Sequence, residues 1–360
     1  ISSIFKYDLT NIKIYSISLF LIFNFINRDI SNVFLISTLI LCLVDFKLLS
    51  KIFALHKELF IFVLLFTASI IISMIINQST LSELDNYTRL LLLFPLAVIS
   101  LEKNFSRNVF LIASLAALVS FLYVIITSDI PRYTGTSSHP ITYGNICALM
   151  SIICINRMSL SDNQFDFRIY AFTSLFFIIP MLMTATRGPL IGFLICLVLI
   201  IILRKSIKIL AVSSILLLLL IFTSNSMSYR LQRIVDINLF DIQANGHVSI
   251  RERVAYLHYG LENISSSIIF GAGPDKMEAD LKIWIDENQL QVTPRDHLHN
   301  EYLDILVKFG AISLALLLLI YFYFFRHSLI SSNNELMIII VMLAASQLTQ
   351  SQFSHHQAIT

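Results

Sequence analysis

The sequence predicts an all-α, polytopic integral membrane protein with about 11 to 12 transmembrane helices and one large external helical loop. The first indication is composition: 56% of the 360 residues are hydrophobic and only 13% are charged, unlike a soluble domain. The second is that apolar runs of spanning length recur, with interiors nearly free of charge. The third is one long polar stretch, residues 223–300, between two such runs.

The apolar runs give eleven predicted spans, several of them shorter than the roughly 20 residues of a full crossing. The chain therefore divides into residues 1–222 with the first nine helices, the loop at 223–300, and residues 301–360 with helices ten and eleven and the start of a twelfth. Because the first residue is not Met and the ending approaches another apolar run, we expect both ends to be incomplete. The spans are 12–26, 30–44, 59–76, 90–100, 109–126, 141–155, 169–183, 190–203, 207–222, 311–325 and 336–348.

Basic residues are distributed unequally between the two membrane sides, which predicts the orientation. The short connections on one side carry only Arg28, Arg89, Arg132 and Arg187. The other side, with the N-terminus, is therefore predicted to be cytoplasmic, and the 223–300 loop lies outside. That richer side has Lys6, Lys13, Lys47, Lys51, Lys57, Lys103, Arg107, Arg157, Arg168, Arg204, Lys205, Lys208 and Arg326.

The external loop is predicted to contain two helices. Over 249–264, the apolar residues Val254, Leu257, Leu261 and Ile264 recur at helical spacing, which predicts an amphipathic helix. A turn at Gly271-Ala-Gly273 precedes a second short helix over 275–289.

Several function classes are disfavoured by the same sequence. A net charge of +2 without a basic cluster does not suggest nucleic-acid binding. All four cysteines fall inside apolar runs, where they are typical core residues rather than disulfides or metal ligands. Asp296, His297, His299 and Glu301 form only a weak metal signal because a distant third ligand is missing. Neither a cofactor nor a metal is therefore predicted.

Arginines and histidines gather at the external ends of the spans. Arginine suits phosphate because its planar fork donates two parallel hydrogen bonds, and histidine exchanges a proton near neutral pH. The pattern suggests a phosphate-bearing lipid substrate and a proton transfer. Single arginines also snorkel to lipid headgroups or lie on solvated helix faces, so both interpretations stay open. The residues are Arg132, Arg187, Arg251, Arg253, His297 and His299.

The entry of the tenth span carries two sets of polar residues. Glu301, Asp304 and Lys308 are three and four residues apart, so they are predicted to form an ion-paired stripe on one helical face. His299 is predicted on another face, in line with Leu303, which favours a separate task for it.

Three stretches together resemble the bacterial O-antigen ligase family: "DHLHNEYLDILVKFGAIS", "TATRGPL" and "RERVAYLHYGLENI". The family has His followed by Asn, Ser or Gln, nine residues, Gly, two residues, and Gly, Thr or Tyr. His299, Asn300 and Gly310 fit, whereas Ser313 departs from the last position. The family's Arg with Leu four positions later corresponds to Arg253 and Leu257. The resemblance extends over residues 120–330, roughly, and Arg187 and Arg132 match further family arginines.

The resemblance implies a metal-independent, inverting glycosyltransferase with twelve spans in the bacterial inner membrane, its active site facing the periplasm. O-antigen would pass from undecaprenyl pyrophosphate to a sugar hydroxyl of the lipid A core oligosaccharide. Arg187 and Arg253 would hold the pyrophosphate and His299 would be the general base. We also expect Arg132, Asn300, His297 and Arg251 at the substrates. The alternatives are an O-antigen polymerase, a protein O-oligosaccharyltransferase and, from another class, a lipid flippase or transporter.

Overall fold

The computed structural model describes residues 2–23, 28–100, 140–184, 186–205, 242–243, 248–264 and 268–351, with single positions between 115 and 126. Within these ranges the regular elements are helices, with short 3-10 turns at Leu81–Glu83 and Arg89–Leu92. The helices are α1 Ser2–Phe23, α2 Arg28–Val44, α3 Phe46–Leu55, α4 Lys57–Ile76, α5 Leu84–Thr88, α6 Leu93–Ser100, α7 Pro140–Leu160, α8 Gln164–Met183, α9 Arg187–Arg204, α10 Val248–Asn263, α11 Pro274–Glu287, α12 Glu301–Ile330 and α13 Asn334–Gln347.

Two compact units divide the chain. The first comprises Ile1–Ile61 and Arg89–Arg204, and the second comprises Phe62–Thr88 and Lys205–Thr360. In the first unit α1 packs on α2, α6 packs on α2 and α3, and α7 packs on α8 and α9. In the second unit α10, α11 and α12 pack on one another, and α13 packs on α12.

Among the described residues, five helices are long and apolar enough to cross a membrane: α4, α7, α8, α9 and α12. Counting the bent pair α2 and α3 as one span makes six. The predicted all-helical membrane class is thereby confirmed, whereas the number of eleven to twelve spans stays a prediction. The predicted spans 109–126 and 207–222 lie outside the described residues apart from scattered positions, and the start of the twelfth span lies outside them as well.

The connection predicted after the second span is helical instead, since α3 follows α2 at an angle of 85°. Asp45 stands at the bend, where its side chain accepts a hydrogen bond from Leu48 N at 3.3 Å and caps α3. The same carboxylate lies 2.7 Å from Lys13 Nζ, and the Lys13 side chain is fully buried. Lys13 therefore pairs with Asp45 inside the first unit. From the sequence, Lys13 was instead expected among the basic residues that flank the spans.

The two predicted loop helices are present as α10 and α11, and their core agrees only in part with the predicted face of α10. Tyr256, Tyr259 and Gly260 are buried on α10, together with Val254, whereas Leu261 is 58% exposed. The aliphatic spacing predicted this face in part, since Leu257 and Ile264 also pack against the core, but it did not include the two tyrosines. A Cβ on Gly260 would lie 2.5 Å from Leu303 Cδ2, so α10 and α12 approach closely there.

Helix α12 is interrupted at Gly310, which has φ 86° and ψ 178°. Ala311 N donates to Ile268 O at 2.7 Å, instead of to the carbonyl four residues earlier in its own helix. The carbonyls that the break releases are satisfied by the 268–273 segment: Val307 O accepts from Ala272 N at 2.8 Å and Lys308 O accepts from Gly273 N at 2.9 Å. The break is therefore a specific joint between α12 and this segment.

The end of α4 fixes the same segment from the other side. The Ser73 hydroxyl donates to Phe270 O, and Asn77 Nδ2 donates to Gly271 O at 3.2 Å. Farther along, Thr80 N donates to Asp275 Oδ2 at 2.6 Å, which ties the start of α11 to the turn after α4. These bonds place residues 81–83 beside α12.

Candidate active site

The histidines of the motif lie in the loop directly before α12. Asn300 is the N-cap of that helix, where its side chain accepts from Leu303 N at 3.1 Å and donates from Nδ2 to Leu348 O at 3.1 Å. His299 precedes the cap and has φ 56°, a left-handed conformation that is uncommon for a residue other than glycine. The sequence predicted that His299 shares a helical face with Leu303. This prediction is wrong, because the helix begins only after His299.

Three aromatic rings converge in this loop. The rings of His297 and His299 meet edge to face with centroids 4.6 Å apart, and Tyr256 stacks on His299 at 5.7 Å. His297 is 6% exposed, whereas His299 is half-buried. Of the two histidines, His299 is thus the one that a substrate reaches more readily.

His297 is oriented by its neighbour Asp296. The distance between His297 Nδ1 and Asp296 Oδ1 is 2.6 Å, and the hydrogen bond from His297 holds the pKa of the Asp296 carboxyl well below its usual range. A carboxylate that accepts from one ring nitrogen fixes the tautomer and the orientation of the imidazole. The pair therefore holds the His297 ring against His299.

Tyr256 connects this cluster to α10. Its hydroxyl donates to Thr293 O, and burial, followed by the charge of Glu252, raises the pKa of the phenol above its ordinary value. The phenol is therefore neutral at physiological pH and works as a stacking platform. Sequence reasoning missed Tyr256, because its partner His299 is 43 residues farther along the chain.

The two arginines of α10 lie at its N-terminal end, and both are half-buried. Arg253 is one turn before Tyr256, so the two side chains share a helical face. Arg251 lines a cavity of about 300 Å³, which Gln243, Gln289 and Gln291 also line. The second unit thus contains Arg251, Arg253 and both histidines.

The predicted stripe on α12 contains a buried ion cluster. Lys308 Nζ lies 3.3 Å from Asp304 Oδ2, which confirms the predicted pairing, and it also donates to both carboxylate oxygens of Glu83 at 3.2 and 3.0 Å. Lys308, Asp304 and Glu301 are fully buried. Sequence reasoning missed Glu83, which is 225 residues away from Lys308 along the chain.

The ion cluster is costly to bury. Desolvation raises the pKa of the Glu83 carboxyl, and the charge of Lys308 opposes that shift only in part. Lys308 therefore compensates two carboxylates that water does not fully solvate.

We expect Lys308→Met to destabilise the protein by about 3–5 kcal/mol, because it leaves buried acidic groups without their cation. Thermal melting of the detergent-solubilised chain measures this, with exposed Lys276→Met as the control. Adding Glu83→Gln to Lys308→Met should restore part of the loss. Equal melting of the Lys308 and Lys276 variants would contradict this explanation of the cluster.

Arg187 lies in the first unit, as the first residue of α9, and is half-buried. The turn that precedes it is held by α7, since a Cβ on Gly144 would lie 2.8 Å from Thr186 Oγ1 and 3.0 Å from Thr184 Oγ1. A helix N-terminus carries partial positive charge, which disfavours a cation there and favours an anion. Arginine at this position therefore makes the start of α9 strongly attractive to an anion. The predicted Arg132 lies outside the described residues.

Within the part of the chain that the structure describes, no group of three or more His, Cys, Asp or Glu side chains is arranged to hold a metal ion. The four cysteines are buried within α2, α7 and α9. These positions agree with a core function for the cysteines.

Comparison with protein families shows that the family model described as O-antigen ligase matches residues 172–318. The resemblance to the O-antigen ligase family is therefore confirmed. Comparison with curated proteins finds no match.

The O-antigen ligase match covers Arg187, both arginines of α10 and the histidine loop, and it ends within α12. Arg132 and Glu83 lie before it. With the apolar helices, the O-antigen ligase match indicates a multi-pass membrane glycosyltransferase of the O-antigen ligase or polymerase type. Ser313, which departs from the O-antigen ligase motif, is fully buried, and its hydroxyl lies 2.9 Å from Ser69 Oγ of α4.

Proposed function

We propose that the protein transfers O-antigen from undecaprenyl pyrophosphate to a sugar hydroxyl of the lipid A core oligosaccharide. The observation that carries the proposal is the placement of His299: it is half-buried, in a left-handed conformation, stacked on Tyr256, within the segment that matches O-antigen ligase. A histidine held in this way is pre-organised for proton transfer.

The proposed reaction is an inverting displacement at the anomeric carbon of the donor. The acceptor oxygen forms a bond to that carbon, the bond from carbon to the pyrophosphate oxygen breaks with its electron pair, and His299 takes the hydroxyl proton. Arg253 stabilises the negative charge that develops on the leaving pyrophosphate, since charge-assisted bonds from guanidinium to phosphate are strong. We assign the same role to Arg187, and neither a metal nor a cofactor takes part in the proposal.

The other predicted site residues have less direct assignments. Arg251 lines a cavity together with three glutamine and three aliphatic side chains, and the glutamine amides suit the hydroxyl groups of a glycan. His297 supports His299. The oxygen and the nitrogen of the Asn300 side chain both form hydrogen bonds within the protein, so we assign Asn300 to capping α12. Contacts of Asn300 and of Arg132 with substrate stay predictions.

We place the protein in the bacterial inner membrane with its site facing the periplasm. The support is the excess of lysine and arginine on the opposite side of the predicted spans. The periplasmic side is also where the resemblance implies that both lipid-borne substrates are presented.

The arginine assignments predict a large loss of transfer. Arg253→Ala and Arg187→Ala should each lower the transfer rate on the order of 10²–10³-fold, as removal of one group that stabilises the transition-state charge does. Lysine should not restore the rate, because it lacks the planar fork. Exposed Arg326→Ala is the control, and lipopolysaccharide gels from cells with matched protein levels are the measurement. Normal O-antigen in both variants would exclude these roles.

Deletion of the gene separates the alternatives. Loss of all O-antigen with accumulation of lipid-linked polymer identifies a ligase, whereas core with a single repeat identifies a polymerase. Unchanged lipopolysaccharide with lost protein glycosylation identifies a protein O-oligosaccharyltransferase. The spacing from His299 to Gly310 favours the ligase. A lipid flippase or transporter predicts ionisable groups in the middle of the spans, whereas Arg187 lies at the start of α9 and both motif histidines lie before the start of α12.

A further inference from the structure

We propose that Asp304 is a positioning residue that holds His299 in place through the backbone of the loop. This inference rests on the proposed role of His299 as the base. Asp304 Oδ1 accepts a hydrogen bond from Leu298 N at 2.9 Å, and Leu298 directly precedes His299. The contact links the first turn of α12 to the backbone between the two histidines.

The Asp304 carboxylate is itself fixed from its other side. Its second oxygen, Oδ2, lies 3.3 Å from Lys308 Nζ, and Lys308 donates in turn to Glu83 in the turn after α4. Asp304 and Lys308 are fully buried, so water does not compete for these bonds. The carboxylate therefore lies between Lys308 and Leu298 N, and the hydrogen bond to Leu298 N is the contact that reaches the loop.

The histidine loop needs such support. A left-handed conformation is disfavoured for histidine and persists where the surrounding structure enforces it. Asn300 fixes the backbone after His299 by capping α12, and Asp304 N donates to Asn300 O at 2.8 Å. Asp304 fixes the backbone before His299, where Leu298 is buried in the core of the loop helices. His299 is therefore held from both sides.

Stability alone accounts poorly for the charges of this cluster. Burial works against the ionised form of Glu83, and well-packed neutral residues often replace buried ion pairs without loss of stability. A neutral side chain that still accepts the Leu298 N–H bond should therefore retain the positioning, which separates the hydrogen bond from the charge.

The experiment compares two full-length variants that differ only at residue 304. Both carry Glu83→Gln and Lys308→Met; one has Asp304→Asn, which keeps the acceptor oxygen, and the other has Asp304→Leu, which has the same branching and no acceptor. Transfer kinetics are measured with purified protein, undecaprenyl-pyrophosphate-linked O-antigen and lipid A core. We expect near wild-type kcat with Asp304→Asn, and kcat lower on the order of 10²-fold with Asp304→Leu, at an unchanged KM for the acceptor.

Several outcomes overturn the proposal. Equal kcat values for the Asp304→Asn and Asp304→Leu variants would overturn it. So would a lower transfer rate with Asp304→Leu that disappears when the rate is divided by the amount of folded protein. If Asp304→Leu does not accumulate in membranes, Asp304→Ala in the same background replaces it. If Asp304→Ala also fails while Asp304→Asn accumulates, Asp304 is needed for folding, and the positioning role is rejected.

A parallel measurement on His299→Asn distinguishes failure of this proposal from failure of the proposed function. If that variant abolishes transfer while the Asp304→Asn and Asp304→Leu proteins are equally active, only the positioning role of Asp304 falls. If His299→Asn retains transfer, the base assignment and the positioning role fall together.

Discussion

Replacing His299 should abolish glycan transfer while the protein still accumulates in the membrane. We expect His299→Asn to lower the rate about 10²–10⁴-fold, the usual contribution of a general base. Asn is the sharper substitution because it tolerates the left-handed backbone found at this position, and His299→Ala should give the same loss of transfer. Lipopolysaccharide gels from cells that produce each variant at matched levels measure the effect.

The control for His299 is His327→Ala. His327 is exposed and lies near the far end of α12, roughly 25 Å of helix beyond Gly310. It should leave transfer unchanged. His297→Ala is the informative neighbour, because His297 carries the carboxylate partner Asp296. If His297→Ala abolishes transfer and His299→Asn does not, the base is His297 and the assignment of His299 is wrong.

Replacing Gly310 with alanine should destabilise the protein more than adding a methyl group at any other position of α12. In Gly310→Ala the new Cβ would lie 2.1 Å from Ile269 O and 2.4 Å from Ile269 C, and the backbone has φ 86°. Left-handed strain and overpacking each cost about 1–3 kcal/mol, so we expect a loss of about 3 kcal/mol or more. Membrane abundance and thermal melting in detergent measure it.

The matched control for Gly310 is Ala315→Gly, which also changes one methyl group in α12, at an exposed position. It should cost only about 1 kcal/mol, the usual penalty for glycine in a helix. Gly310→Ala with wild-type abundance and melting would contradict the joint between α12 and the 268–273 segment. The same joint explains why the motif that contains His299 also contains this glycine.

The sequence predicted the helical membrane class, because hydropathy is a property of neighbouring residues; the roles assigned to the histidine loop from its local spacing stay predictions. It also predicted the Asp304–Lys308 pair, which is four residues apart on one helix. The third member of that cluster, Glu83, depends on how α4 and α12 pack, and no local pattern contains that information. The stacking of Tyr256 on His299 was missed for the same reason.

Local backbone geometry accounts for the remaining differences. The predicted helical face for His299 fails because Asn300 caps α12 after it. The break at Gly310 is not encoded in hydropathy, since apolar residues continue on both sides of it. At the bend between α2 and α3, Asp45 pairs with Lys13, which lies 32 residues away along the chain, so no local pattern predicts this contact.

The most direct test is transfer by the purified full-length protein in liposomes that contain undecaprenyl-pyrophosphate-linked O-antigen and lipid A core, with EDTA present. We predict that the wild-type protein forms O-antigen-bearing lipid A core and that His299→Asn forms none. Transfer that His299→Asn leaves intact, or elongation of the lipid-linked polymer without any product on lipid A core, would contradict the proposed function.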